Sequence, residues 1–139
     1  MCLAGKYDKV YPGKKGYKIL IRETGELRTG VTSRGRCKYP NKTTYIRDGN
    51  TRPILVDGSF GDDYPAGFHV FTKKSEATRV LKRMRKGGGS RKDYELWRVA
   101  FRKQVAYGWV CWCWWAFRDK EATDTVVAKE FRLLEEVKL

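Results

Sequence analysis

Tryptophan and cysteine alternate in Gly-Trp-Val-Cys-Trp-Cys-Trp-Trp-Ala-Phe, residues 108–117, which hold four of the chain's five tryptophans and two of its four cysteines. On an extended strand, Cys111 and Cys113 share a face with Trp109 and Trp115, and Val110, Trp112, Trp114 and Ala116 share the other. Their Cα atoms would lie about 6.6 Å apart with parallel side-chain vectors, a poor geometry for a disulfide. A zinc site would have to recruit Cys2, Cys37 or His69 as well. Each of these stands alone in the sequence, and no paired C-x2-C spacing is present. The expectation is small thiols packed inside a sheet, with no metal and no cofactor. Four tryptophans exceed what filling a small core requires. One face of the run, with Trp109 or Trp112, is therefore a candidate platform for stacking on a flat ligand.

Catalytic groupings are sparse. The chain has one histidine, His69, so Ser-His and Cys-His schemes all depend on it. Phe-His-Val-Phe sets it on a strand among large apolar residues, where a core or rim histidine is expected. Cys2 would become the N-terminal residue after removal of Met1, and an amine beside its own thiol can act as base and nucleophile together. Gly61-Asp62-Asp63 has no second acidic cluster beside it, which argues against a two-metal site. No P-loop, dinucleotide fingerprint or zinc-protease motif occurs. An enzymatic reading rests on Cys2 alone, and a non-enzymatic one is favoured.

Charge points to an anionic partner. The net charge is +14 and its distribution is uneven. Residues 1–47 carry +9, residues 48–72 carry −3, residues 73–92 carry +8, and residues 93–139 are neutral. Two basic blocks thus flank an acidic loop and lead into a neutral, aromatic last third. Such an imbalance fits an acidic ligand or surface; its alternative is a solvated, self-repelling exterior.

The elements that must position these groups follow from periodicity. Tyr-Lys-Ile-Leu-Ile-Arg (17–22) reads as a strand, turning through Glu-Thr-Gly-Glu into a hairpin partner. Residues 33–43 are basic and turn-rich, and a short strand follows at 44–49. Gly, Pro, Asp and Asn through 48–67 predict an ordered surface loop with Ile54, Leu55 and Val56 tucked beneath it. Gly-Phe-His-Val-Phe predicts a strand. The next stretch predicts a helix, because Ala77, Val80, Leu81 and Met84 form one apolar stripe, with Thr72 or Ser75 as its N-cap. Gly-Gly-Gly-Ser (87–90) is expected to be a flexible break. Two long strands are predicted from Tyr94 to Phe117. A strand should close the chain, with a helix over Lys129 to Lys138 as its alternative. The expected fold is α+β: one domain over residues 1–139, with a curled, mostly antiparallel sheet of five to six strands packed with one amphipathic basic helix. No apolar run approaches the roughly 18 residues of a membrane span. The N-terminus has no secretory apolar segment, so a cytoplasmic protein with reduced cysteines is expected.

Met-Cys-Leu-Ala-Gly-Lys-Tyr-Asp-Lys-Val, Tyr-Lys-Ile-Leu-Ile, Gly-Phe-His-Val-Phe-Thr-Lys-Lys-Ser-Glu-Ala and the late Val-Ala-Tyr-Gly resemble segments of small proteins of phage genomes and mobile bacterial DNA. These proteins share a Met-Cys start and a Gly-aromatic-His-x-Phe strand leading into a helix. The resemblance implies a phage accessory protein, working in the host cytoplasm and blocking host defence by binding.

Four readings follow. The first is a non-enzymatic binder that sequesters an anionic, nucleotide-like immune signal. Its candidate contacts are Arg34, Arg36, Lys38, Tyr39, Tyr45, Arg47, His69, Trp109 and Trp112, since phosphates call for Arg and Lys and bases for flat aromatic faces. The second is nucleic-acid binding through Arg79, Lys82, Arg83, Arg85, Lys86, Arg91 and Lys92. The third is a protein-interaction inhibitor that docks its basic face on an acidic host factor. The fourth is an enzyme with Cys2 as nucleophile. A monomer or small homo-oligomer is expected for all four.

Overall fold

Apolar side chains crowd residues 96–101 and 126–133, and both stretches are extended. A computed structural model describes residues 3–23, 26–29, 42–49, 54–55, 63–86, 93–111 and 122–139. In chain order the elements are β1 (Gly5–Lys6), β2 (Lys15–Glu23), β3 (Glu26–Thr29), β4 (Ile46–Arg47), β5 (Ile54–Leu55), β6 (Asp63–Tyr64), β7 (Phe68–Phe71), α1 (Lys74–Lys86), β8 (Asp93–Cys111) and β9 (Ala122–Val137). The α+β class is therefore as expected, with one helix against a curled antiparallel sheet.

The curl comes from a closed circuit of pairings. β8 and β9 pair antiparallel from Leu96↔Val137 to Cys111↔Ala122. β2 occupies the other edge of β8, from Lys15↔Ala100 to Arg22↔Asp93, and β7 occupies the other edge of β9. The pair Tyr17↔Phe71 then joins β2 to β7 and completes the ring. Two register shifts, one leaving Leu134 of β9 unpaired beside Arg98/Val99 and one leaving Val105 of β8 unpaired between Gln104 and Ala106, bend the β8–β9 pair toward this closure. Gly16 allows the last approach. A Cβ there would lie 2.6 Å from both the Phe71 carbonyl oxygen and Val70 Cγ1. β3 pairs with β2, β1 with the far half of β8, β4 with β9, and β5 and β6 form a separate two-stranded sheet.

Inward-facing residues fill the ring: Leu20, Val70, Trp97, Val99, Phe101, Val126, Phe131 and Leu133 are all buried. Outside it, Ala77, Val80 and Leu81 of α1 pack on Ile19, Phe71 and Leu96, with Met84 at the margin. This is the apolar stripe that the spacing predicts. A third cluster joins Leu3, Tyr64, Val110 and Val127.

Two local expectations are corrected and one is met. The two strands predicted between Tyr94 and Phe117 are, as far as Cys111, one continuous strand interrupted by a bulge. The closing strand is as expected and runs to Val137, with Phe131 and Leu133 buried on strand spacing against β8, so the alternative helix over Lys129–Lys138 does not form. Neither predicted residue caps α1: Thr72 donates its hydroxyl to the Asp124 carbonyl (3.4 Å), and Ser75 already lies inside the first turn. The 87–90 break falls outside the described residues. Among those described, no helix is long and apolar enough to cross a membrane.

Candidate functional site

Residues 102–104, Arg-Lys-Gln, separate two mostly apolar stretches of β8 at its bend. Lys103 takes a left-handed backbone, with φ at 59°, which costs an L-residue about 1–2 kcal/mol. Gln104 secures the neighbouring segment in place of a missing strand pairing. Its Oε1 accepts the Tyr11 N–H (2.9 Å), and its Nε2 donates to the Tyr11 carbonyl (3.1 Å). Residues 11–15 are thereby held alongside the bend, and the Phe101 N–H donates to the Lys14 carbonyl at 2.9 Å.

A groove of about 570 Å³ opens there, lined by residues 11–15, Tyr45, residues 100–104 and Arg132. Its size falls within the ~300–1,000 Å³ range of small-molecule sites. Five cationic side chains border it (Lys14, Lys15, Arg102, Lys103 and Arg132), and none of the described lining residues is acidic. Tyr45 organises two of the cations. The Arg102 guanidinium stacks 3.9 Å from its ring centre, and that of Arg132 lies at 5.6 Å. Beside the groove, Glu130 is nearly buried and accepts hydrogen bonds from Arg102 at 3.1 and 3.3 Å. Lys103 Nζ lies 3.2 Å from the same carboxylate. The Arg102 bonds, reinforced by Lys103, hold the Glu130 carboxyl below the usual carboxylate range. One carboxylate thus positions two cations, and the groove keeps an excess of positive charge.

An aromatic stripe leads away from this groove. The ring of Tyr11 lies 6.3 Å from Phe101 and 5.4 Å from Tyr107; Tyr7 follows at 4.7 Å from Tyr107 and 5.2 Å from Trp109. Near its end, Tyr7 donates its hydroxyl to Asp124 Oδ1 at 2.6 Å, and Lys73 Nζ lies 3.2 Å from Oδ2. That hydrogen bond, with partial burial, pushes the Tyr7 pKa up to about 12. Glu76 of α1 accepts the Asp124 N–H at 3.0 Å. This cluster ties the N-terminal segment, β9 and the start of α1 together.

Of the residues proposed from sequence for a nucleotide-like ligand, Tyr45 lines the groove. Arg47 is exposed on β4 and is not among the lining residues. Trp109 is half-buried on the far half of β8, against Tyr7 and above Gly5. His69 is corrected as a contact residue, because it is only 1% exposed. The Tyr64 hydroxyl accepts the Leu3 N–H (2.9 Å) and lies 3.0 Å from His69 Nε2, to which it can donate. Burial, reinforced by the charge of Lys18, pushes the His69 pKa down to about 3. Lys18 Nζ donates to the His69 carbonyl at 3.0 Å and lies 5.6 Å from the rings of both Phe68 and Phe131. Cys2, Arg34, Arg36, Lys38, Tyr39, Arg91, Lys92 and Trp112 lie outside the described residues. Arg79, Lys82, Arg83, Arg85 and Lys86 are exposed on α1.

No family model, curated protein or solved structure matches the chain. Among the described residues, no three His, Cys, Asp or Glu side chains converge as metal ligands. The groove offers cations at several heights and phenolic rings, which is chemistry for holding phosphates and flat rings. Sequence reasoning missed Tyr11, Lys14, Lys15, Arg102, Lys103, Gln104 and Arg132. Its one available signal was three polar residues in succession between two mostly apolar stretches of one strand.

Proposed function

We propose that this protein is a non-enzymatic binder of a small, anionic, nucleotide-like ligand held in the groove between Tyr11, Tyr45 and the bend of β8. The observation that carries this reading is the set of five cations and two tyrosines sharing one groove with no acidic residue among the described lining. Guanidinium groups match phosphate oxygens in paired geometry, and lysines add point charge. Tyr45 stiffens the cations before any ligand arrives, which lowers the entropy lost on binding. The resemblance of the sequence to small phage and mobile-element proteins directs the choice of ligand toward nucleotide immune signals.

Isothermal titration with adenosine diphosphate and a cyclic dinucleotide tests this, with inorganic phosphate and adenosine as half-ligands. Nucleotide should bind more tightly than either half. The double variant Lys14→Gln, Lys15→Gln should weaken it at least about tenfold, as loss of charged hydrogen bonds does. Tyr45→Ala should weaken it as well, by unfixing Arg102. Equal affinity for nucleotide and inorganic phosphate, or titrations unmoved by these variants, would discard the groove as the site.

A further inference from the structure

We propose that the outer face of α1 is a second binding site, for the phosphate backbone of a nucleic acid, separate from the nucleotide groove. The inference rests on how the chain's charges are partnered. On the sheet, four cations meet carboxylates: Arg22 with Glu95, Arg98 with Glu135, Arg102 and Lys103 with Glu130. At the start of α1, Lys73 meets Asp124, and the helix's acidic residue, Glu76, turns toward the Asp124 backbone. Beyond that first turn, α1 carries no acidic side chain.

Outward on α1 lies a shallow groove of about 540 Å³ lined by Ser75, Thr78, Arg79, Lys82, Arg83 and Lys86; Arg83 makes a contact of its own, and Arg79, Lys82 and Lys86 meet no carboxylate among the described residues. Residues 75, 79, 82 and 86 follow the i, i+4, i+7, i+11 spacing of one helix face. At about 1.5 Å per residue the stripe is roughly 16 Å long, enough to meet several consecutive phosphates. Like charges at i+3 and i+4 repel, so this face destabilises the isolated helix unless an anion neutralises it. Ser75 and Thr78 add hydroxyl donors of the kind that contact phosphate.

Other anionic partners fit less well. A membrane-surface helix needs an apolar stripe to insert, and that of α1 is already buried against Ile19, Phe71 and Leu96. A protein interface is anchored by buried aromatic or aliphatic groups, whereas this lining is entirely polar.

The test is fluorescence anisotropy of a labelled DNA duplex of about 30 base pairs, repeated over a range of salt concentrations. The wild type should bind in low salt, with log K falling linearly against log salt at a slope of about −3 or steeper. The triple variant Arg79→Gln, Lys82→Gln, Lys86→Gln keeps good helix formers at exposed positions. It should lose at least tenfold in low-salt affinity and flatten the slope by about 2.7, since each neutralised contact contributes about 0.9. The single variants should each flatten it by about 0.9 and provide the same reading should the triple variant melt early. The groove variant Lys14→Gln, Lys15→Gln should bind the duplex much as the wild type does, so the two proposals fail separately. Unchanged duplex affinity in the helix variants would overturn the inference. So would tighter, variant-sensitive binding to phosphatidylserine vesicles or to polyglutamate than to the duplex.

Discussion

Lys103 combines two roles that a single residue rarely holds together. Its left-handed backbone, φ 59°, is a conformation that glycine adopts at little cost. Its side chain reaches Glu130 and borders the groove proposed for nucleotide. Strain held at a bend that carries cations fits a position kept for binding. Lys103→Gly should therefore be more stable than Lys103→Ala by about 1–2 kcal/mol, the cost of the left-handed conformation. Against the wild type the gain is smaller, because the glycine variant also gives up the ion pair to the nearly buried Glu130, which Arg102 alone then holds. Both variants should bind nucleotide more weakly. Paired thermal melts and titrations check this, and a glycine variant less stable than the alanine one would show that the backbone is not strained.

Among the elements, closure of the sheet depends on a narrow contact. β2 and β7 share one register pair, Tyr17↔Phe71. Beside it, Gly16 brings its backbone against the Phe71 carbonyl. Gly16→Ala should cost about 1–3 kcal/mol, in the range of forced overpacking. The loss should concentrate at the β2–β7 seam. Amide hydrogen exchange should then speed up in residues 68–71 and 15–19 more than in the β8–β9 pair. A uniform loss of protection, or none, would place closure elsewhere. Residues 11–15 are held beside the bend by Gln104 and the Phe101–Lys14 hydrogen bond instead, so nucleotide affinity should fall less than protection at the seam.

Over the whole molecule, the buried histidine couples stability to pH. His69 has a folded pKa of about 3, well below the ordinary value of about 6.5 that it regains on unfolding. Between those values the unfolded chain binds a proton that the folded chain refuses. The stabilisation is therefore complete above about pH 6.5 and is lost as pH falls toward 3. From pH 6 to about 4.5, before most carboxylates titrate, unfolding free energy should drop with a slope approaching 1.4 kcal/mol per pH unit. His69→Gln should flatten that slope. By NMR, the chain's one imidazole should show no titration between about pH 5 and 8. A midpoint near 6.5 in the folded protein would remove His69 from the acid response. At the alkaline end, the Tyr7 hydroxyl titrates late for the opposite reason: its bond to Asp124 favours the protonated form.

The linear order of residues determined the helix stripe of Ala77, Val80, Leu81 and Met84, the strand at Phe68–Phe71, the hairpin strands around Glu23 and Glu26, and the basic block that became the outer face of α1. These are local: periodicity of two or 3.6 residues specifies which face is apolar, and burial follows. The groove was not legible in the same way. Its lining comes from residues 11–15, from Tyr45, from the bend of β8 and from Arg132 of β9. Only the closed ring of β8, β2, β7 and β9 brings those stretches together, and that ring depends on two register shifts between β8 and β9, which no periodicity reveals. His69 makes the same point for protonation. Its neighbours in sequence suggested a buried site, but the Tyr64 hydroxyl and the Lys18 charge beside it come from distant elements. Spacing along the chain decided the elements, and long-range pairing decided which charges and rings meet.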